Sequence, residues 1–278
     1  MPTNNSALVL LRGGGDLATG VALRLHRAGL KIVIAELEQP LAVRRTVSFA
    51  EAVYEGQHMV EGVTARLVEP EQLPVALAAD EIPVLIDPNA AILTFGPSNF
   101  VAVIDGRLTK QTPSPLPAPV PLHIGLGPGF HAGINCHAVI ETRRSHTLGR
   151  VYWNGSSQAD SGQPEGDRRR VLRAPSDGVL TARTKIGEHV EEGQIIAEIS
   201  EQLSAASNLY SVMSPFNGIL RGLIRDGIHV TQGLKIGDVD PRDDASACFL
   251  VSDKALSIGG AVLEAILTRE EIREKLWK

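Results

Sequence analysis

The feature that most constrains this chain is a stretch that repeats itself. Arg173-Ala174-Pro175-Ser176-Asp177-Gly178-Val179-Leu180 returns as Met213-Ser214-Pro215-Phe216-Asn217-Gly218-Ile219-Leu220, 40 residues further on. Gly187 and Gly227, His189 and His229, Val190 and Val230, and Gly193 and Gly233 keep the same offset without a gap. A period this regular means two copies of one supersecondary unit. Each copy reads as a turn, an apolar strand, a glycine turn and a second strand, and short strands at that spacing make a small all-β body. A chain of 278 residues has room for such a body beside one larger domain. The expected division is an α/β domain over 1–165, the β module over 171–240, and a C-terminal strand and helix over 246–278 that return to the first domain.

The opening third reads as strand, turn, helix, strand. Ala7 to Leu11 is wholly apolar, as a buried parallel strand should be. Arg12-Gly13-Gly14-Gly15-Asp16 follows, then Leu17, Val21, Leu25 and Ala28 at helical spacing, then Lys31 to Glu36 as a second strand. Glycines between a strand and a helix, with an acid closing the next strand, are the setting of a dinucleotide fingerprint. Gly13, Gly14, Gly15, Asp16 and Glu36 are therefore candidate cofactor-binding residues. Asp16 also suits a helix cap and would repel a pyrophosphate placed there. The alternative is the same turn without a nucleotide. Leu41 to Tyr54 is expected as a helix. Arg44 and Arg45 near its start are candidate anion ligands, since cations disfavour that end of a helix. Further strands are expected at Pro83 to Asp87 and Phe100 to Asp105, and at Cys248 to Val251. Acids that end strands lie at the edge where α/β folds bind ligands. Asp105 is a candidate catalytic group there, with Arg107 and Lys110 as cations beside it.

Leu122 to Arg150 concentrates the chemistry. It holds Gly125, Gly127, Gly129 and Gly133, four of the eight histidines (His123, His131, His137 and His146) and Cys136, one of two cysteines. Successive amides in such a turn can form an anion nest, so Gly125, Gly127 and Gly129 join the candidate ligands. Cys136, His137 and His131 are candidate catalytic residues; Cys136 would act as a nucleophile if its thiol were activated. The alternative is a tight connection around a small buried thiol. No metal site is expected.

Composition narrows the partners. A net charge of -5 argues against a nucleic-acid surface. No apolar run approaches the roughly 20 residues of a membrane span. The short polar N-terminus predicts no signal peptide, and two distant cysteines predict no disulfide framework, so a cytoplasmic location is expected.

Two resemblances refine the expectation. The repeat resembles the barrel-sandwich hybrid domains that carry biotin or lipoate, but the joining stretch from Glu198 to Val212 contains no lysine, so no covalent carrier chemistry is implied. The fold class expected is thus a Rossmann-like parallel-sheet α/β domain plus a biotinyl/lipoyl-like all-β module without acceptor lysine. Taken in order, G-G-G-D-L-A-T-G at 13–20, E-Q-P-x-A-V-R-R-T-V-S-F at 38–49, G-L-G-P-G-F at 125–130, C-H-A-V-I-E-T at 136–142, L-R-A-P at 172–175 and S-D-K-A at 252–255 resemble the YqeB-like selenium-dependent molybdenum hydroxylase system proteins. That resemblance implies an accessory factor that matures molybdenum hydroxylases. It implies an anionic nucleotide or molybdopterin-type ligand, sulfur or selenium carried on Cys136, and hydroxylases or cofactor-biosynthesis proteins as partners. The competing expectations are a nicotinamide-dependent oxidoreductase using Gly13, Gly15 and Glu36, and a non-catalytic chaperone that docks its target through the β module.

Overall fold

The computed structural model describes residues 7–162, 166–200 and 208–276. The chain divides into two compact units. The first comprises Met1–Pro40, Ser48–Ser161 and Val251–Lys278; the second comprises Leu41–Val47 and Gly162–Leu250.

The first unit is built on one sheet. Its elements are β1 (Leu8–Arg12), α1 (Asp16–Arg27), β2 (Lys31–Glu36), α2 (Ala52–Glu55), β3 (Gln57–Val60), β4 (Val63–Leu67), α3 (Leu73–Ala78), β5 (Ile82–Ile86), α4 (Ile92–Phe95), β6 (Phe100–Asp105), β7 (Leu122–Leu126), β8 (Ala138–Ile140), β9 (Val151–Tyr152), α5 (Asp253–Thr268) and α6 (Glu270–Leu276). The strand order is β3-β4-β5-β2-β1-β6-β7-β8-β9. From β4 to β8 every neighbouring pair is parallel, while β3 and β9 are antiparallel to their neighbours. The expectation of a Rossmann-like parallel sheet is therefore corrected: the sheet is mixed. A tight turn at Glu61 and Gly62, both at positive φ, folds β3 back on β4, and this hairpin supplies one antiparallel edge.

One face of this sheet buries Leu8, Leu10, Val33, Ala35, Leu85 and Val103 against Leu73 and Ala76 of α3 and Ile92 of α4. Full burial of each large aliphatic side chain is worth about 1.5–3 kcal/mol. Register carries this face to the carboxyl ends of the strands. Arg12 lies opposite Asp105, and Asp105 opposite Gly125.

The second unit holds the repeat, as β10 (Val171–Arg173), β11 (Gly178–Ala182), β12 (His189–Val190), β13 (Ile195–Ser200), β14 (Leu209–Met213), β15 (Gly218–Leu223), β16 (His229–Val230) and β17 (Lys235–Asp240). These form two four-stranded antiparallel sheets, β10-β17-β15-β12 and β14-β13-β11-β16. The halves exchange strands: β12 of the first pairs with β15 of the second, and β16 of the second with β11 of the first. Among the described residues no strand pair joins the two sheets. The biotinyl/lipoyl-like barrel-sandwich assignment is corrected accordingly. Part of the lysine-free joining stretch, residues 201–207, lies outside the described residues.

Two expected elements do not form. Leu41 to Tyr54 is not a helix; it makes short 3-10 turns at Arg45–Val47 and Phe49–Glu51 before α2. Its side chains are bound at long range: Arg44 to the carbonyls of Ala247 and Leu250, Arg45 to that of Leu223, and Thr46 to that of Cys248. Those bonds override a weak local helical preference. The same bonds consume carbonyls that a strand at Cys248 to Val251 would need, and Ala245–Cys248 is a 3-10 turn.

Candidate functional site

The glycine turn after β1 is filled from within. Gly13 takes φ +91° and donates its amide to Ala35. The Gly14 amide, which would face a pyrophosphate, donates instead to Glu36 Oε2 at 2.6 Å, while Glu36 Oε1 accepts from Leu37 at 2.7 Å. The Gly14 carbonyl accepts from Thr19 Oγ1 and from the Ala50 amide. A Cβ on Gly14 would lie 2.8 Å from the Ala50 nitrogen, so the backbone of residues 49–51 sits where a nucleotide would approach. Burial raises the Glu36 pKa, against the lowering effect of its two amide donors. Gly15 is the N-cap of α1 without a side-chain cap bond, and Asp16 lies in the first helical turn rather than capping it. Of the expected ligand residues Gly13, Gly14, Gly15, Asp16 and Glu36, the structure turns Glu36 inward, where its carboxylate holds the loop through the Gly14 amide.

The second glycine turn is also a packing device. A Cβ at Gly125 would overlap the Phe130 ring, one at Gly127 would meet Thr142 Oγ1 at 2.6 Å, and one at Gly129 would strike the Gln111 carbonyl. Phe130, Ala132, Cys136 and Val139 form a small core beneath it. Cys136 is 7% exposed. Burial pushes its thiol up to about 11, although the backbone amides of Gly125, His131 and Ala138 pull the other way. A buried thiol held protonated is not a nucleophile at neutral pH. The structure places Cys136 in this small core, with its thiol held protonated by burial. His131 Nδ1 bonds Ser156 Oγ at 3.0 Å. The exposed His137 clasps β7: its amide donates to the His123 carbonyl and its Nδ1 accepts from the His123 amide, both at 2.8 Å. Neither histidine is joined to Cys136 by its ring.

The other cations divide between the units. Arg44 and Arg45 belong to the second unit and bind carbonyls there. Lys110 pairs with Asp160 at 2.9 Å. Arg107 grips Asp105 bidentately, Nε to Oδ1 at 2.9 Å and Nη2 to Oδ2 at 2.6 Å.

What the structure brings together is a set that the motif reading saw only in part. Asp105 is fully buried and also accepts from Arg12 Nη1 at 3.2 Å, while Arg12 Nη2 reaches the Pro88 carbonyl. Burial lowers the Arg12 pKa against the opposing pull of Asp105. Two guanidiniums on one carboxylate leave an excess positive charge within the triad. Asp87 also acts on Arg12, but its own oxygens accept from the Ala91 and Ile92 amides at the start of α4. His123 stands on the same sheet face, two residues before Gly125. It is 7% exposed, packs edge-on to Phe130 with centroids 6.0 Å apart, and its Nε2 is buried without a hydrogen-bond partner. Burial pulls its pKa down to about 4, opposed by Asp105. Arg12 and His123 escaped the motif reading. The available signal was one polar side chain in an otherwise apolar buried strand: Arg12 closing L-V-L-L-R and His123 within L-H-I-G-L. Among the described residues no group of three or more His, Cys, Asp or Glu side chains is placed to hold a metal ion, and no helix is long and apolar enough to cross a membrane.

No family model matches the chain. It is 44% identical over 265 residues to a protein of Escherichia coli (strain K12) described as "Uncharacterized protein YqeB". That match takes in 94% of this chain and 47% of the other, so the chain spans about half the length of the curated relative. Solved structures with some similarity include an aspartoacylase family protein of Mesorhizobium loti (13% identity, 84% of each chain, TM-score 0.29). Others are the ectoine utilization protein EutE (DoeB) of Ruegeria pomeroyi (13% identity, 84% and 85%, TM-score 0.31) and a succinylglutamate desuccinylase/aspartoacylase of Rhodobacter sphaeroides (12% identity, 84% and 85%, TM-score 0.29). At such scores the likeness assigns neither fold nor activity to this chain. With the glycine loop filled and the Cys136 thiol protonated, the expectation of a maturation factor binding a nucleotide or molybdopterin-type ligand is corrected, and so is that of a nicotinamide oxidoreductase.

Proposed function

We propose that the first unit binds a small organic acid at the carboxyl edge of its mixed sheet, with the Arg12–Asp105–Arg107 triad as the anion-recognising element. The observation that carries this reading is the charge of the triad: one fully buried carboxylate bound by two guanidiniums, one of them, Arg107, 28% exposed. A guanidinium held in place by a bidentate partner keeps donors for a second carboxylate at little further entropic cost. The carboxyl edge of the parallel strands is also where α/β sheets receive ligands. The test is thermal denaturation of the whole chain against a panel of small mono- and dicarboxylates. A ligand at about 100 times its Kd raises stability by about 2.7 kcal/mol. Arg107→Gln should abolish the shift while leaving the uncomplexed protein folded. No shift with any acid, or an undiminished shift in Arg107→Gln, overturns the reading.

The 44% identity over 94% of the chain supports kinship with YqeB, and we propose from the sequence motifs alone a finer placement among the selenium-dependent molybdenum hydroxylase system proteins. That placement is proposed as kinship alone, and no maturation step is assigned to the chain.

A further inference from the structure

The edge of a β-sheet offers backbone donors and acceptors to any further strand, and soluble proteins guard such edges with short strands, charged side chains or proline. Most edges of this chain are guarded. In the large sheet, β9 has two residues, and β3 has four, with the polar Gln57 and His58 among them. In the second unit, β12 and β16 have two residues each, and β10 has three and ends in Arg173. β14 lacks every one of these guards. It is five residues long, reads Leu-Tyr-Ser-Val-Met, and carries neither a charge nor a proline. It pairs with β13 on one side, and among the described residues no strand lies on its other side.

Val212 is 6% exposed and faces the core; alternation puts Tyr210 on that face and Leu209, Ser211 and Met213 on the other. Leu209 and Met213 are more than half exposed, and so in part is Ile195, the residue paired with Met213 on β13. The acid on β13, Glu198, stands opposite Ser211 and is neutralised by Arg183. The order of residues in β14 selects its partner. An antiparallel copy of the strand centred on Ser211 sets Leu209 against the partner's Met213, Tyr210 against the partner's Val212, and Ser211 against the partner's Ser211. Aromatic and β-branched residues are a favourable cross-strand pair, and no like charges meet. On the outer face, Ile195, Met213 and the partner's Leu209 form one apolar row. A charged peptide finds no counter-charge on β14, so the neutral strand of a second copy suits this edge better.

We infer that β14 is a dimerisation edge: two copies of this chain pair their β14 strands antiparallel about a two-fold axis at Ser211, joining the four-stranded sheets of both into one continuous sheet. The contact is isologous and closes at two copies. One pair of five-residue strands covers less than the roughly 1,200 Å² of a standard interface, so the association is weak and concentration-dependent.

Sedimentation velocity of the full chain from about 5 μM to about 500 μM, a range that covers weak dimers, reads the assembly. The expected result is a monomer–dimer equilibrium, weakened about tenfold or more by Ser211→Lys, which opposes two ammonium groups on the axis, with an unchanged circular dichroism spectrum. A protein that stays monomeric throughout, or a dimer undiminished in Ser211→Lys, overturns the inference. Cysteine trapping reads the register, and decides the matter should Ser211→Lys fail to fold. The native Cys136 and Cys248 are buried. Leu209→Cys and Met213→Cys proteins, mixed under mild oxidation, should cross-link to each other faster than either links to itself. Self-linking as fast as linking in the mixture refutes the pairing about Ser211.

Discussion

His123 ties the stability of this protein to pH. Burial lowers its pKa from 6.5 to about 4. A group whose folded pKa is depressed gives stability that is present above the unfolded value and lost as pH falls through the folded one. The window thus runs from about 6.5 down to about 4. It spans about 2.5 pH units, each worth about 1.4 kcal/mol, so complete protonation costs the fold about 3 kcal/mol, of which about 2 kcal/mol is already lost at pH 5. The ring faces Asp105, which favours its charged form, and His137 and Arg12, which disfavour it. The side chain is over nine-tenths buried, so solvent screening discounts little of this. The perturbation is His123→Phe, which keeps the ring and its edge-on contact with Phe130 but cannot titrate. Urea unfolding of both proteins at pH 7.5 and pH 5 measures the effect as a difference of differences, which cancels every other titrating group. The native protein should lose about 2 kcal/mol more than the variant between the two values. Equal losses would show that the imidazole is solvated in the folded state, and would refute the burial argument.

Two further outcomes concern the cysteines and the second glycine turn. Cys136 and Cys248 are both buried with raised thiol pKa values, so neither should react with a thiol reagent at pH 7.5 on the time scale of minutes, and both should react in urea; rapid labelling of native Cys136 would restore it as a nucleophile. Gly125→Ala places a methyl group into the Phe130 ring. It should destabilise the protein by about 1–3 kcal/mol in chemical denaturation, and a near-neutral result would mean that the ring is not seated on Gly125.

Local pattern and long-range contact divided the work of specifying this molecule. Apolar runs by themselves place β1, β2, β5 and β6, because a strand buried on both faces keeps its polar residues to its ends, and β7 departs from this only at His123. The period of 40 residues likewise marks the repeat, whose paired turns fall at matching places in β11 to β13 and β15 to β17. The 3.6-residue spacing marks α1, because one apolar stripe is enough to bury a helix face. The antiparallel edges of the large sheet and the exchange of strands between repeat halves lie beyond such patterns, since they depend on which strand meets which. The site shows the same division. Asp105 and Arg107 were legible as polar groups closing a strand. The filling of the Gly14 amide by Glu36, the capture of Arg44 and Arg45 by backbone carbonyls, and the burial of Cys136 were not. A side chain's pKa and its hydrogen-bond partner are set by atoms tens to hundreds of residues away in the chain. Only the tertiary structure could decide that the first glycine turn, Arg44 and Arg45 were spent internally while Arg107 stayed partly exposed on the buried Asp105.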